Sequence, residues 1–366
     1  TRDSDNSASK SAVDRIFAAK EINQELLEFG KNNDWQRILN TFEIKKNQFN
    51  SINYATALTQ LSKCHNVVKD DPRLHRLLRN ITKQLVTDDE SWKARGMVNV
   101  LHSMAKMKLE NPHAKELMST ITRRNNLLRM VQGGNAQDIS NLTWSCATLG
   151  VPSNDLQQLI NEHASILVET GTPQAIANTA WACATMGIKC HLLFLLIDKN
   201  AQKIVSEAST QHIANIAWAC AQLGFPCSTF LNVVDQRAQQ LVIVGKPQEV
   251  ANTAWSFATL GFQGRELFTT IESNATEFVT NAKSQEIANT AWACATLGIV
   301  CPKLFEAIDH HASRLIKSGD VQTVANTVWA FATLNTSCPK LVEHIDKHAM
   351  DLVNTGTTQE IANLAW

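Results

Sequence analysis

Seven of the nine tryptophans in this 366-residue chain stand at Trp144, Trp181, Trp218, Trp255, Trp292, Trp329 and Trp366, each 37 residues after the one before. An Asn precedes every one of them by three residues, from Asn141 to Asn363, and a Gln by seven, from Gln137 to Gln359. Self-similarity at a fixed period of this size marks a solenoid or array, in which a short unit buries its apolar surface only against copies of itself. Chain length then says little about domain number. With 14 Gly, 8 Pro, a single Tyr and 44% hydrophobic residues that include much Ala, helix is favoured over strand. The predicted architecture is an all-α solenoid of stacked αα-hairpins with a 37-residue repeat.

Residues 172–208, TPQAIANTAWACATMGIKCHLLFLLIDKNAQKIVSEA, serve as the specimen repeat. Thr172 before Pro173 predicts an N-cap with Pro at the first helical position; Asn135, Ser209, Asp320 and Thr357 hold the same site, while Lys246 and Lys283 break the rule. Gly187 predicts the end of this first helix, matched by Gly150, Gly224, Gly261 and Gly298 and by Asn335 in the sixth repeat. A second helix carries Leu193, Ile197, Ala201 and Ile204 as one apolar stripe.

The cysteines follow the same rhythm. Cys146, Cys183, Cys220 and Cys294 share a repeat position with Phe257 and Phe331, and Cys190, Cys227, Cys301 and Cys338 recur near the turn between helices. A metal ligand is not exchangeable for Phe, and no CxxC pair occurs, so these are read as small packing residues of a reducing compartment. No metal and no cofactor are expected.

Along the chain, residues 1–10, TRDSDNSASK, predict a disordered tail, and 11–130 an irregular helical region with degenerate repeats. INYATALTQL, from residue 52, puts Asn53 and Leu61 where the repeat has its Asn and Leu; MVNVLHSMAKM, from 97, does so with Asn99 and Met107. The regular array runs over 131–366. A start at Thr1 without Met, and an end inside a repeat phrase, lead us to expect a piece of a longer chain. The net charge of zero is divided: 12 Lys and Arg against 19 Asp and Glu from residue 131 on, or −7, which leaves 22 against 15, or +7, over 1–130. No apolar run is long enough for a transmembrane helix, and no membrane partner is expected.

Advancing about 100° per residue from the Gln as position 1, the apolar positions 3, 4, 7, 10 and 11 centre near 240° and predict the buried side. The opposite arc, near 60°, holds position 2, the Asn at 5, the small residue at 9 and the Thr at 12. Trp at position 8 stands nearer the buried edge and is read as packing between repeats. Asn141, Asn178, Asn215, Asn252, Asn289 and Asn326 are therefore candidate RNA contacts, beside a varying position 2 that includes Asp138, His212, Glu249, Glu286 and Thr323. The competing reading makes Asn and Gln a hydrogen-bonded ladder between stacked helices and position 2 plain solvent-exposed surface. Arg123, Arg124 and Arg129, in ITRRNNLLR, are candidate phosphate contacts, as is the basic stretch RLHRLLRNITK at 73–83.

The phrase Q-x-I-A-N-T-A-W-A-C-A-T-L-G resembles the octotricopeptide and heptatricopeptide helical repeats, and the related RNA-editing substrate-binding complex subunits of mitochondria. Similar arrays in algae and apicomplexa often precede a C-terminal RAP domain. The resemblance covers residues 131–366 and implies αα-hairpins that bind organellar transcripts, in a mitochondrion or plastid, for stabilisation, processing, editing or translation. The expected function is thus non-catalytic, sequence-selective binding of single-stranded RNA, with protein partners in an RNA-processing complex and no small-molecule substrate. The alternative is an interaction scaffold that accepts a peptide or helix in its concave groove, a reading kept open by the acidity of the array. No Ser/His/Asp arrangement, phosphate-binding Gly loop or metal-spaced cluster points to an enzyme.

Overall fold

A computed structural model describes residues 2–151 and 154–365, with side chains over 16–151, 155–362 and 364. Among the described residues there is no strand, and the fold is an all-α solenoid of 26 helices that pack on their near neighbours. The chain divides into two compact units, Thr1–Gly171 and Thr172–Trp366; the change in regularity expected at 130/131 falls inside the first.

The first unit holds α1 (Arg2–Lys31), α2 (Trp35–Lys45), α3 (Ser51–Leu61), α4 (Pro72–Thr87), α5 (Ala94–Met107), α6 (Pro112–Ile121), α7 (Arg124–Gln132), α8 (Ala136–Leu149), α9 (Asn154–Glu162) and α10 (Ala164–Thr170). The backbone of α1 takes in residues 2–10, where composition predicts a disordered tail; their side chains lie outside the described residues. In the second unit the long helices are α11 (Pro173–Met186), α14 (Thr210–Leu223), α17 (Pro247–Thr259), α20 (Ser284–Leu297), α23 (Val321–Thr333) and α26 (Thr358–Ala365). Between them run the short pairs α12 (His191–Lys199) and α13 (Ala201–Glu207), α15 (Ser228–Gln236) and α16 (Ala238–Val244), α18 (Arg265–Ser273) and α19 (Ala275–Asn281), α21 (Pro302–His310) and α22 (Ala312–Ser318), α24 (Pro339–Lys347) and α25 (Ala349–Thr355).

The starts of the long helices explain themselves residue by residue. Thr172 Oγ1 accepts from Ala175 N at 3.2 Å, and Asp320 Oδ1 from Thr323 N at 2.8 Å, each satisfying one of the donors a helix leaves unpaired. Where Lys246 and Lys283 cannot cap, the third helical residue reaches back instead: Glu249 accepts from Lys246 N at 3.0 Å and Glu286 from Lys283 N at 2.7 Å. At the far end Gly187, Gly224 and Gly298 hold φ between +67° and +73°, and Asn335 holds +51°. A Cβ on those glycines would meet nothing within 4 Å, so the residue answers to the left-handed backbone alone.

The second helix of the hairpin, read from sequence as continuous, is broken into pieces of nine and seven residues. The break falls at His163, Asn200, Arg237, Asn274, His311 and His348, with φ between −100° and −114°. At four of them the side chain bonds the carbonyl four residues back: His163 to Leu159 O at 2.9 Å, Asn200 to Leu196 O and Asn274 to Thr270 O at 2.8 Å, His311 to Ala307 O at 2.9 Å. A side chain inserted into the i−4 ladder is an established cause of a helix kink.

A second periodic device joins successive repeats. Asp198 accepts from Phe230 N at 2.8 Å, Asp235 from Leu267 N at 2.9 Å, Glu272 from Leu304 N at 3.0 Å and Asp309 from Leu341 N at 2.8 Å. Each carboxylate caps the second helix of the next repeat, where exposed N–H groups and the helix dipole both favour an anion. The cores between hold a pair of residues seven apart in sequence. Cys183 and Cys190 bring their sulfurs to 3.7 Å, Cys220 and Cys227 to 2.9 Å, Cys294 and Cys301 to 3.9 Å, all as buried free thiols. In the intervening repeat Phe257 replaces the first cysteine and Gly264 the second, and a Cβ on Gly264 would fall 2.3 Å from the Phe257 ring. Burial pushes the Cys146 thiol up to about 12, consistent with a packing residue rather than a reactive one.

Candidate nucleic-acid interface

Each internal long helix of the second unit, α14, α17, α20 and α23, is packed by a like helix on either flank, so two sides of it are covered. What stays open is a narrow stripe. Gln at position 1 is exposed (Gln174, Gln211, Gln248, Gln285, Gln322), Asn at 5 and Trp at 8 are half-buried, and position 12 (Thr185, Gln222, Thr259, Thr296, Thr333) is exposed again. These positions centre near 10° on the wheel, about 50° from the arc read from sequence. The correction has a physical cause: the wheel assumes one buried side, whereas an internal repeat has neighbours before and after it as well as beneath.

Two consequences follow for the sequence-derived candidates. The small residue at 9 is not on the stripe: Ser145, Ala182, Ala219, Ser256, Ala293 and Ala330 are fully buried. Tryptophan, by contrast, is on it, and Trp255 stacks on Trp292 of the next repeat with centroids 6.5 Å apart and planes 29° apart. These two indoles thus pack across a repeat junction and still present an edge to solvent.

The asparagines at position 5 stand where the amide reading needs them. Asn141 Oδ1 accepts from Gln137 Nε2 at 2.9 Å, within its own helix. The side chains of Asn178, Asn215, Asn252, Asn289 and Asn326 make no hydrogen bond among the described residues, so no amide ladder links the helices there. The side chain of Asn363 and all of Trp366 lie outside the described residues.

Position 2 has a structural task. It is the third residue of its helix, and its side chain turns back to the cap: Asp138 accepts from Asn135 N at 3.2 Å, His212 Nδ1 from Ser209 N at 3.4 Å, and Glu249 and Glu286 act as described above. Asp138 and Thr323 are buried; His212, Glu249 and Glu286 are half-buried. Burial holds the His212 imidazole below its ordinary range, with the Glu249 charge opposing. Much of the acidity of the array is spent in the same way. Of its 19 carboxylates, nine (Asp138, Asp198, Asp235, Glu249, Glu272, Glu286, Asp309, Asp320 and Glu360) accept from backbone N–H groups at helix starts and so do not face the stripe as free charges.

The first unit carries the same exposure rhythm on different residues. In α5 Arg95 is exposed, Asn99 and His102 half-buried, and Lys106 exposed; in α3 the series is Ile52, Thr56 and Thr59, with the exposed Lys63 in the turn after the helix. His102 takes the place of the tryptophan and packs on Trp144 with centroids 5.0 Å apart, while its Nδ1 lies 3.4 Å from Ser145 Oγ. Burial, and secondarily the Lys106 charge, hold its pKa below 6.5. Asn99 falls in the register read from sequence. Asn53 does not: it is a cap partner, exchanging bonds with Asn50 at 2.9 and 3.2 Å and donating to Ala19 O at 2.8 Å, so the register of α3 is three residues from the one expected.

The arginine candidates are scattered. Arg129 is committed inward, pairing with Asp89 and donating to Trp92 O at 2.7 Å; Arg124 pairs with Asp155 at 3.5 Å; Arg123 is exposed. In the 73–83 stretch Arg73 pairs with Asp71 at 2.6 Å and Arg76 with Glu43 at 2.7 Å, off the stripe. The cations that do line it, Lys63, Arg95 and Lys106, were visible in sequence only through the register that Asn99 fixes.

Among the described residues no group of three or more His, Cys, Asp or Glu is placed to hold a metal, and no helix is long and apolar enough to cross a membrane. A comparison with curated proteins gave no match. A family model for the RNA-editing substrate-binding complex 6 protein matches residues 27–366, a span that extends into both units. A match over that span reaches well beyond the regular repeats and shows that the chain belongs to the RNA-editing substrate-binding complex 6 protein family.

Proposed function

We propose that this chain is a non-catalytic subunit of an RNA-editing substrate-binding complex, and that it holds single-stranded RNA along the stripe at positions 1, 5, 8 and 12 of its long helices. The observation that carries the reading is the column of half-buried asparagine amides from Asn178 to Asn326, with no hydrogen-bond partner among the described residues, each beside a tryptophan edge. A side-chain amide offers both donor and acceptor to a base edge, and an indole offers a stacking surface to any base, so recognition and grip alternate at each repeat. Asn141, Asn178, Asn215, Asn252, Asn289 and Asn326 contact base edges in this reading. Position 2 is secondary: His212, Glu249 and Glu286 flank the stripe, and Asp138 and Thr323 are withdrawn from it. Lys63, Arg95 and Lys106 replace Arg124 and Arg129 as the phosphate contacts, with Arg123 free to add to them. An organelle, mitochondrion or plastid, is the compartment this role implies.

Fluorescence anisotropy against a randomised single-stranded RNA pool tests it. Selected sequences should bind with affinity that falls as salt rises. Replacing Asn215, Asn252 and Asn289 together by Ala should weaken binding roughly tenfold or more, about the loss of three modest hydrogen bonds, with the melting temperature unchanged. Indifference to RNA at low salt, with tight binding of a peptide partner, would establish the scaffold reading instead.

A further inference from the structure

A cavity of about 240 Å³ opens on the stripe of the first unit, between α3 and α5, lined among others by Ile52, Thr56, Trp92, Lys93, Arg95 and Asn99. Gly96 is among the residues that line it. Position 2 of α5 is Gly96, where the long helices otherwise carry a side chain, and a Cβ at Gly96 would come no nearer than 3.7 Å to Trp92.

The walls are chemically specific. Trp92 is 1% exposed, and its Nε1 donor has no partner among the described residues. A buried indole N–H without an acceptor is costly and asks for an explanation. Lys93 and Arg95 are both exposed and make no ion pair, and Asn99 brings an amide with no intramolecular hydrogen bond. The loop bearing Trp92 is held from both sides: Ser51 Oγ donates to Ser91 O at 2.8 Å, and Arg129 donates to Asp89 O at 3.0 Å and to Trp92 O at 2.7 Å. The inward commitment of Arg129 thus acquires a purpose, since it fixes the floor of a preformed cavity.

We propose that this cavity receives a single nucleotide unit, its base against Ile52 and Trp92 and its phosphate at Lys93 and Arg95. A flat apolar ring with acceptor atoms on its edge, joined to an anion, matches an apolar wall, an amide and two cations that make no ion pair among the described residues. The volume of about 240 Å³ lies below the about 300–1,000 Å³ of sites for drug-sized ligands, so the cavity takes the base, with the sugar and phosphate outside it beside Lys93 and Arg95. The inference deepens the RNA-binding reading and rests on it for the source of the nucleotide, an unstacked residue of the bound RNA; a free mononucleotide has the same chemistry.

The test uses the whole chain with two probes. The first is single-stranded RNA containing 4-thiouridine, crosslinked by near-ultraviolet light and mapped by mass spectrometry; the second is a set of the four nucleoside monophosphates in equilibrium dialysis. Gly96→Leu fills the cavity, and Arg95→Gln removes a cation at an exposed site where folding is not at stake. An adduct within residues 91–99 that drops at least fivefold in both variants, with adducts in 172–366 unchanged, supports the RNA source. Mononucleotide binding to the native chain that is lost in both variants supports a free nucleotide. Adducts along 172–366 with none at 91–99, and no mononucleotide bound, overturn the pocket and leave the stripe standing. Loss of all RNA crosslinking in the native chain, with mononucleotide still bound, overturns the stripe and leaves the pocket.

Discussion

The long helices of the second unit, and α8 of the first, share one chemistry at the four exposed positions, whereas α3 and α5 of the first unit carry another. In the second unit the stripe reads Gln, Asn, Trp and mostly Thr, uncharged throughout; in α3 with the turn after it, and in α5, it reads Ile52, Thr56, Thr59, Lys63 and Arg95, Asn99, His102, Lys106. The rhythm of exposed, half-buried, half-buried, exposed survives the change of residue. Exposure is therefore set by how helices stack, which covers two flanks of each one, and the side chains on the open strip are left to specialise. The second unit has specialised in amides and indoles that treat every repeat alike, whereas the first has cations and a cavity that occur once.

Overfilling the Phe257–Gly264 contact in the core of the second unit should have the largest effect. Gly264→Ala drives a Cβ into the Phe257 ring at a left-handed φ of +50°, and should cost about 2–4 kcal/mol in urea unfolding. The double change Phe257→Cys with Gly264→Cys, which copies the neighbouring repeats, should recover most of that loss. Next comes the joint between repeats: Asp309→Ala strands the N–H of Leu341, a buried donor, and should cost about 1–3 kcal/mol by the same measurement. A smaller gain is expected in the first unit, where Gly96 lies within a helix and a Cβ there meets nothing closer than 3.7 Å; Gly96→Ala should raise stability by about 0.5–1 kcal/mol. That gain should come with weaker RNA crosslinking at 91–99, whereas an unchanged crosslink would mean that the missing side chain serves backbone packing alone.

The smallest effect sharpens the comparison at position 8, which titrates in α5 and cannot in the second unit. The folded pKa of His102 is lowered below 6.5 by burial. Between that folded value and 6.5 the unfolded chain holds the proton and the folded chain does not, so stability is full above about 6.5 and declines as pH falls toward the folded value. A proton NMR titration should give a His102 midpoint below 6.5, and His102→Phe should flatten the pH dependence of the melting temperature in that window.

The repeat phrase made much of the fold legible before any coordinates. The caps at Thr172 and Asp320, the turn at Gly187 and the left-handed Asn335 are local chemistry, and local chemistry can be read from a string. What escaped is what depends on neighbours. The stripe lies about 50° from its expected place because a helical wheel has no term for helices on either side. Asn53 was misassigned since Asn suits a cap as well as a groove, and only the bond to Asn50 decides. The kinks at Asn200 and Asn274, and the carboxylates at 198, 235, 272 and 309, do recur in the sequence at the common interval. Their period was there to be seen, but a polar residue on a solvent-facing helix gives no sign that it reaches across to the next repeat.

Those carboxylates have a bearing on how such a chain changes over generations. The group they grasp is main-chain N–H, present on every residue but proline, so the coupling does not ask which side chains the following segment carries. A duplication or excision of one whole segment would leave each remaining junction able to close without any compensating substitution. The length of the array, and with it the span of whatever lies along it, is thus free to evolve separately from the identity of the residues it displays.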